Sequence, residues 1–156
     1  MAEIHLIDMP ELEVLSKKKT GTYTLIPELL VQVVMYIQKR GIPITGPPIF
    51  ICSETSPEAV QHAQETGTAV VEVAWPVNGP MQGSGEILYR KLAGGKMAHT
   101  VHKGPYEACE PAYLALFDWI AKNGLTICGP VREVYPNDPR EVPPDEILTL
   151  IYVPVR

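Results

Sequence analysis

The side chains that could do chemistry in this chain are few and scattered. His99 and His102 lie three apart on a stretch that alternates apolar and polar residues as a strand does. That odd separation sends them to opposite faces, so they cannot readily share a metal ion. Cys52, Cys109 and Cys128 show no C-x-x-C or other ligand spacing. An odd count without such a pair fits small, buried apolar roles in a reducing compartment. No G-x-S-x-G turn presents a serine nucleophile, and neither a phosphate loop nor a dinucleotide fingerprint occurs. No metal and no organic cofactor is expected. What remains is a set of aromatic and acidic residues on strand-like stretches, among them Phe50, Glu72, Glu133, Tyr135 and Tyr152. Flat aromatic walls suit flat ligands by stacking, and a cation over such a ring gains about 0.5–2 kcal/mol. This is the chemistry of binding.

The elements that must carry these residues can be read in order. Residues 3–8 and 11–20 alternate as strands. Pro27 sits at the start of a helix that Lys39, Arg40 and Gly41 end. The run 49–52 is a buried strand, 55–67 a loop with a short helical turn, and 69–77 a strand. A Gly- and Pro-rich linker spans 78–85, with Gly83-Ser84-Gly85 inside it. Residues 86–91 and 96–102 then suggest a hairpin about Gly94-Gly95. A second helix runs from near Pro111 to Asn123-Gly124. Strand 131–135, a proline-rich acidic loop at 136–146 and a last strand at 147–155 complete the chain.

The halves match. Gly21, Tyr23, Gly41, Gly46 and Pro47 recur 83 residues later as Gly104, Tyr106, Gly124, Gly129 and Pro130, and Pro76-Val77 recurs 78 residues later as Pro154-Val155. Two copies at so long a period indicate a fused pair rather than a solenoid. The expected fold is therefore α+β. Two pseudo-symmetric βαββ units, roughly 1–78 and 84–156, share one curved antiparallel sheet with two long helices in a single domain. A groove should run along the pseudo-axis, a favoured place for small ligands.

Composition agrees with a globular chain of 156 residues, 46% hydrophobic and 20% charged. A net charge of −5 argues against a nucleic-acid partner. Glu3, His5 and Asp8 exclude a signal peptide, and no apolar run approaches the roughly 18 residues that would cross a membrane. A cytoplasmic location with no membrane partner follows.

The segment His102-Lys103-Gly104-Pro105-Tyr106-Glu107 resembles the GyrI-like small-molecule-binding domain, the effector-binding module of multidrug-responsive transcription regulators. So do Ala112-Tyr113, Leu116, Trp119-Ile120, Gly124, Gly129-Pro130, Glu133, Tyr135, Asn137-Asp138-Pro139 and the closing Ile151-Tyr152-Val153-Pro154-Val155. The resemblance implies bulky, flat, often cationic aromatic ligands, held for sensing or sequestration. It also implies two alternatives: a hydrolase that opens cyclopropane-containing toxins with a tyrosine and a glutamate, and a macromolecular interaction protein of the gyrase-inhibitor type with a protein partner. In regulators the module follows a DNA-binding domain; here the motif region begins almost at residue 1, so a stand-alone form is expected.

Members of the family carry a pocket-facing glutamate four residues before the final proline. Leu150 stands there in this chain, which counts against hydrolysis and against cation binding by that residue. Leu148, Leu150 and Tyr152 share one strand face, by the resemblance the pocket face. The offset of 78 aligns Leu150 with Glu72, which either supplies the groove's acid or lies in solvent on the outer sheet face. The offset of 83 aligns Phe50 with Glu133 and Cys52 with Tyr135. The expected ligand-binding set is Phe50, Cys52, Glu72, Glu133, Tyr135, Leu148, Leu150 and Tyr152, with Tyr135 the candidate proton donor. Tyr106 is expected to pack under its helix, as Tyr23 does in its own half. Trp119 is expected in the core, and Trp75 on the face opposite Glu72.

Overall fold

A computed structural model describes residues 3–156. Eight strands form one antiparallel sheet: β1 His5–Met9, β2 Leu12–Gly21, β3 Ile49–Cys52, β4 Ala69–Pro76, β5 Ile87–Leu92, β6 Gly95–Lys103, β7 Val131–Val134 and β8 Leu148–Pro154. The helices are α1 Leu25–Lys39, α2 Pro57–Thr66 and α3 Glu110–Lys122. No helix is long and apolar enough to cross a membrane.

The strand order is β1-β6-β8-β7-β3-β4-β2-β5. Exchanging the first four strands for the last four reproduces the same order from the other end. Two βαββ units, β2-α1-β3-β4 and β6-α3-β7-β8, meet where β3 pairs with β7. In that pair Phe50 lies opposite Glu133, its own counterpart in the other unit. The pseudo-twofold axis therefore passes through a phenylalanine–glutamate pair.

The strands at 86–91 and 96–102 exist, but they do not form a hairpin. β5 pairs with β2, and β1 pairs with β6, so each unit lends its first strand to the edge of the other. The connections β1–β2 and β5–β6 are two residues each, so the two sheet edges must come together at one end. They cross at Gly94, where a Cβ would lie 2.3 Å from the Met9 carbonyl oxygen and 2.7 Å from the Glu11 nitrogen. The sheet is thus a half-barrel. Its concave face holds Val14, Ile49, Ile51, Ala74 and Leu92. Arg132, on the central strand β7, reaches across that face to the Ala93 carbonyl at 2.6 Å.

The helices pack on the convex face. α1 buries Leu29, Val33 and Ile37, and α3 buries Leu116 and Ile120, against Val71, Val73, Val131, Ile151 and Val153. Both helices stop in the same way, with Gly41 and Gly124 at φ of 64° and 68°, a left-handed conformation that glycine adopts without strain. The polar stretch at 55–67 is a full helix rather than a loop with one turn. Ser56 caps it by accepting from the Ala59 amide at 3.1 Å, Pro57 begins it, and Gly67 ends it. α2 has no counterpart in the second unit, where the loop 136–146 takes its place.

Candidate ligand-binding site

The groove lies on the convex face, between α1 and α3 and over the β3–β7 pair. Alternation along the central strands brings Phe50 and Cys52 of β3 to that face with Val131 and Glu133 of β7. α1 forms one wall. Its groove side, Ile26, Leu30, Val31 and Val34, is as apolar as its sheet side, which is why the helix reads as apolar nearly all round. α3 forms the other wall with Tyr113 and Phe117. Two connected cavities of about 1010 Å³ and about 610 Å³ share Tyr23, Ile26, Tyr106 and Glu133. The loop 136–142 closes the larger cavity and α2 closes the smaller.

Glu133 sits at the floor, on the pseudo-axis. Its Oε1 accepts a hydrogen bond from the Tyr135 hydroxyl at 2.8 Å, and its Oε2 accepts a short one from the Tyr113 hydroxyl. Burial pushes its pKa above the usual carboxylate range; the two tyrosine hydroxyls and nearby His102 pull in the opposite direction without cancelling the rise. Burial, then the Glu133 charge, drives both tyrosines well above their ordinary value, so both remain donors at neutral pH. Among the described residues no cation forms an ion pair with Glu133.

Aromatic rings frame this carboxylate. Tyr106 meets Tyr135 edge-on at 5.5 Å, and Tyr23 meets Phe50 edge-on at 6.0 Å. Tyr106 is 39% exposed and overlooks the groove instead of packing under its helix. Trp75 lines the larger cavity and braces α1 by donating to the Leu30 carbonyl at 3.0 Å. The thiols of Cys52 and Cys109, at the edges of the floor, are each pushed up to about 12, chiefly by burial. Among the described residues no group of three His, Cys, Asp or Glu side chains could hold a metal ion.

The structure divides the expected set in two. Phe50, Cys52, Glu133 and Tyr135 come together in the groove. Glu72, Leu148, Leu150 and Tyr152 do not. Leu150 pairs with Val134 and Tyr152 with Arg132, so they share the concave face with Arg132, as does Leu148 two residues before. The groove-side residues of β8 are Thr149, Ile151 and Val153, all buried. Glu72 neither serves the groove nor lies in solvent: it is buried on the concave face and bonded by Arg90 Nη1 at 2.8 Å and 3.1 Å. Tyr152 stacks on His99 with ring centroids 4.3 Å apart. The groove's acid is on β7 rather than on β8 or β4. Tyr113, which donates to Glu133, is not in the expected set, although Ala112-Tyr113 is among the residues that carry the family resemblance.

A family model for the GyrI-like small molecule binding domain matches residues 2–156. No curated protein sequence matches the chain significantly. Among solved structures, the C-terminal domain of EcmrR superposes with a TM-score of 0.82 at 20% identity, over 100% of this chain and 98% of that domain. In the EcmrR–DNA complex the score is 0.83 at 23% identity, and this chain, 99% covered, spans 57% of the EcmrR chain. A hydrolase encoded by lin2189 of Listeria innocua gives 0.68 at 13% identity over 99% of this chain and 92% of that one. SAV2435, solved bound to tetraphenylphosphonium, gives 0.59 at 13% identity over 99% and 94%. At such identities these are likenesses of fold. The family model spans nearly the whole sequence, and with it the chain belongs to the GyrI-like small-molecule-binding domains.

Proposed function

We propose that the groove captures bulky, flat, amphipathic aromatic cations, for sensing or sequestration, with Glu133 as the counter-charge. One observation carries this reading: a carboxylate at the floor of an aromatic groove, held by two tyrosine hydroxyls and, among the described residues, paired with no cation. A buried charge without a partner is costly, and an organic cation entering the groove supplies the missing one. The rings of Tyr23, Tyr106 and Trp75 offer faces to a flat or multi-ringed ligand. A fold neighbour solved with tetraphenylphosphonium supports the ligand class. The test is a calorimetric titration with tetraphenylphosphonium and with neutral triphenylphosphine oxide. The cation should bind saturably and at least about tenfold more tightly, the worth of one charge-assisted contact. Equal binding of the two, or none, removes the proposal.

A second reading rests on the same carboxylate. Leu150 lies on the far face, so it says nothing about whether the groove has an acid. Glu133 with the Tyr135 hydroxyl at 2.8 Å is a proton acceptor beside a proton donor. That pair suits addition of water to a cyclopropane-containing electrophile, Glu133 taking the proton of the attacking water and tyrosine protonating the leaving carbon or oxygen. Incubation with such an electrophile, followed by mass spectrometry for the water adduct, decides it. Saturable binding without turnover leaves the capture reading alone.

A further inference from the structure

Besides Glu133, and apart from the exposed Glu65, Glu110 and Glu141 at its rim, the groove contains a half-buried carboxylate that the other unit lacks. Glu54, just beyond β3, lines the α2 half of the groove, and its Oε1 accepts from the Tyr23 hydroxyl at 2.6 Å. The residue 83 positions on is Asn137, whose side chain does structural work. It donates to the Glu146 carbonyl and accepts from the Leu148 amide, both at 3.0 Å, and so pins the loop before β8. Glu54 has no such duty: among the described residues its only side-chain hydrogen bond is the one from Tyr23. Among the described residues neither Glu54 nor Glu133 has a cationic partner. The one basic side chain lining either cavity among the described residues is Arg140, and Asp138 already holds it at 2.8 Å. A ligand with a single charge leaves one of these two inner acids uncompensated.

Glu54 is four residues beyond Phe50, which lies opposite Glu133; β3 ends at Cys52, and a fully extended run of four residues would set the two backbones at most about 13 Å apart along the strand. Both side chains line the same α2 half of the groove, which keeps the carboxylates within a separation on the order of 10 Å. Phe50 and Tyr23 lie between, as ring surface for whatever joins two charges. The Cys52 thiol, also between them, is pushed up to about 12 chiefly by burial; its hydrogen bond to the Glu54 carbonyl opposes the rise, and the Glu54 and Glu133 charges add to it.

We propose that the groove is a two-point cation site, in which Glu133 and Glu54 together take an elongated aromatic dication. This rests on the cation-binding reading of the groove given above. Glu133 holds the charge common to all ligands, and Glu54 distinguishes two charges from one.

The probes are tetraphenylphosphonium and a hexamethylene-linked bis(triphenylphosphonium), titrated by calorimetry into the intact protein, its Glu54→Gln variant and its Glu133→Gln variant. The bis-cation should bind the intact protein about tenfold more tightly than the mono-cation, the gain of one further charge-assisted contact. Glu54→Gln should erase that ratio, and an unchanged circular-dichroism spectrum with a cooperative melt shows that the variant is folded. Glu133→Gln should weaken both ligands. A ratio unchanged by Glu54→Gln, or no preference in the intact protein while the mono-cation still binds, overturns the two-point site and leaves the groove reading standing. Failure of both cations to bind the intact protein overturns both.

Discussion

Replacing Glu133 by glutamine should move affinity and stability in opposite directions. The change keeps the size of the side chain and removes its charge. At an effective dielectric of about 20, a cation about 5 Å from the carboxylate gains about 3 kcal/mol. Part of that offsets desolvation of the ligand, so Glu133→Gln should weaken tetraphenylphosphonium binding by about tenfold to a hundredfold. The unliganded protein should respond the other way. Burial raises the native pKa of Glu133, so the folded state holds this proton more tightly than the unfolded chain does. Between the unfolded and native values the native state carries more protons, and stability falls as pH rises through that window. Above the unfolded value the group is therefore a burden on the empty protein, whichever side of neutrality the raised native value falls, and glutamine lifts it. The Tyr135 and Tyr113 hydroxyls can still bond, one to the amide oxygen and one from the amide nitrogen. Differential scanning fluorimetry from pH 4 to 8, with and without ligand, reads both effects. The variant should melt higher than the intact protein at neutral pH, lose the pH slope due to this group, and gain little from ligand. A variant that melts lower when empty and binds the cation as before would refute both the charge assignment and the sign of the pKa shift.

Other outcomes follow from the same geometry. Gly94→Ala puts a methyl group against the backbone of the crossing connection, which cannot retreat without breaking the edge pairings. Overpacking of this kind costs about 1–3 kcal/mol, and the melting temperature should drop by about 3–10 °C; an unchanged melt would mean the two connections do not cross tightly. Glu72→Gln should leave cation affinity within about twofold, because Glu72 and its partner Arg90 sit on the concave face; a larger loss in the titration would place Glu72 in the groove after all. Iodoacetamide at pH 8, followed by intact-mass analysis, should label exposed Cys128 alone, since the Cys52 and Cys109 thiols stay protonated with values of about 12.

What could be read from the sequence, and what could not, turns on the two faces of one sheet. The glycines and prolines at the offset of 83 mark places where backbone geometry leaves few choices. Gly129, for instance, packs so close to Pro154 that an added Cβ would lie 3.2 Å from it. Such marks place the helices, the central strands and the pair Phe50–Glu133, and from these the groove. Face assignment on β8 is another matter. In a sheet with one dry face, period-2 alternation shows which side is buried. Here the half-barrel closes over its concave face, so Leu148, Leu150 and Tyr152 are half-buried while Thr149, Ile151 and Val153 are fully buried. The string LTLIYVP is apolar at both parities, and nothing in it says which set meets the helices. Aligning Leu150 with Glu72 was sound, since they pair with Val134 and Ile51, themselves 83 apart. Both simply face the concave side. The strand exchange hid for a related reason. Gly94-Gly95 has the composition of a hairpin turn, but that composition is equally what a tight crossing needs, because a Cβ at residue 94 would meet backbone. Local signals specify how the chain bends, and only the partner strands, some seventy to ninety residues away, decide what the bend joins.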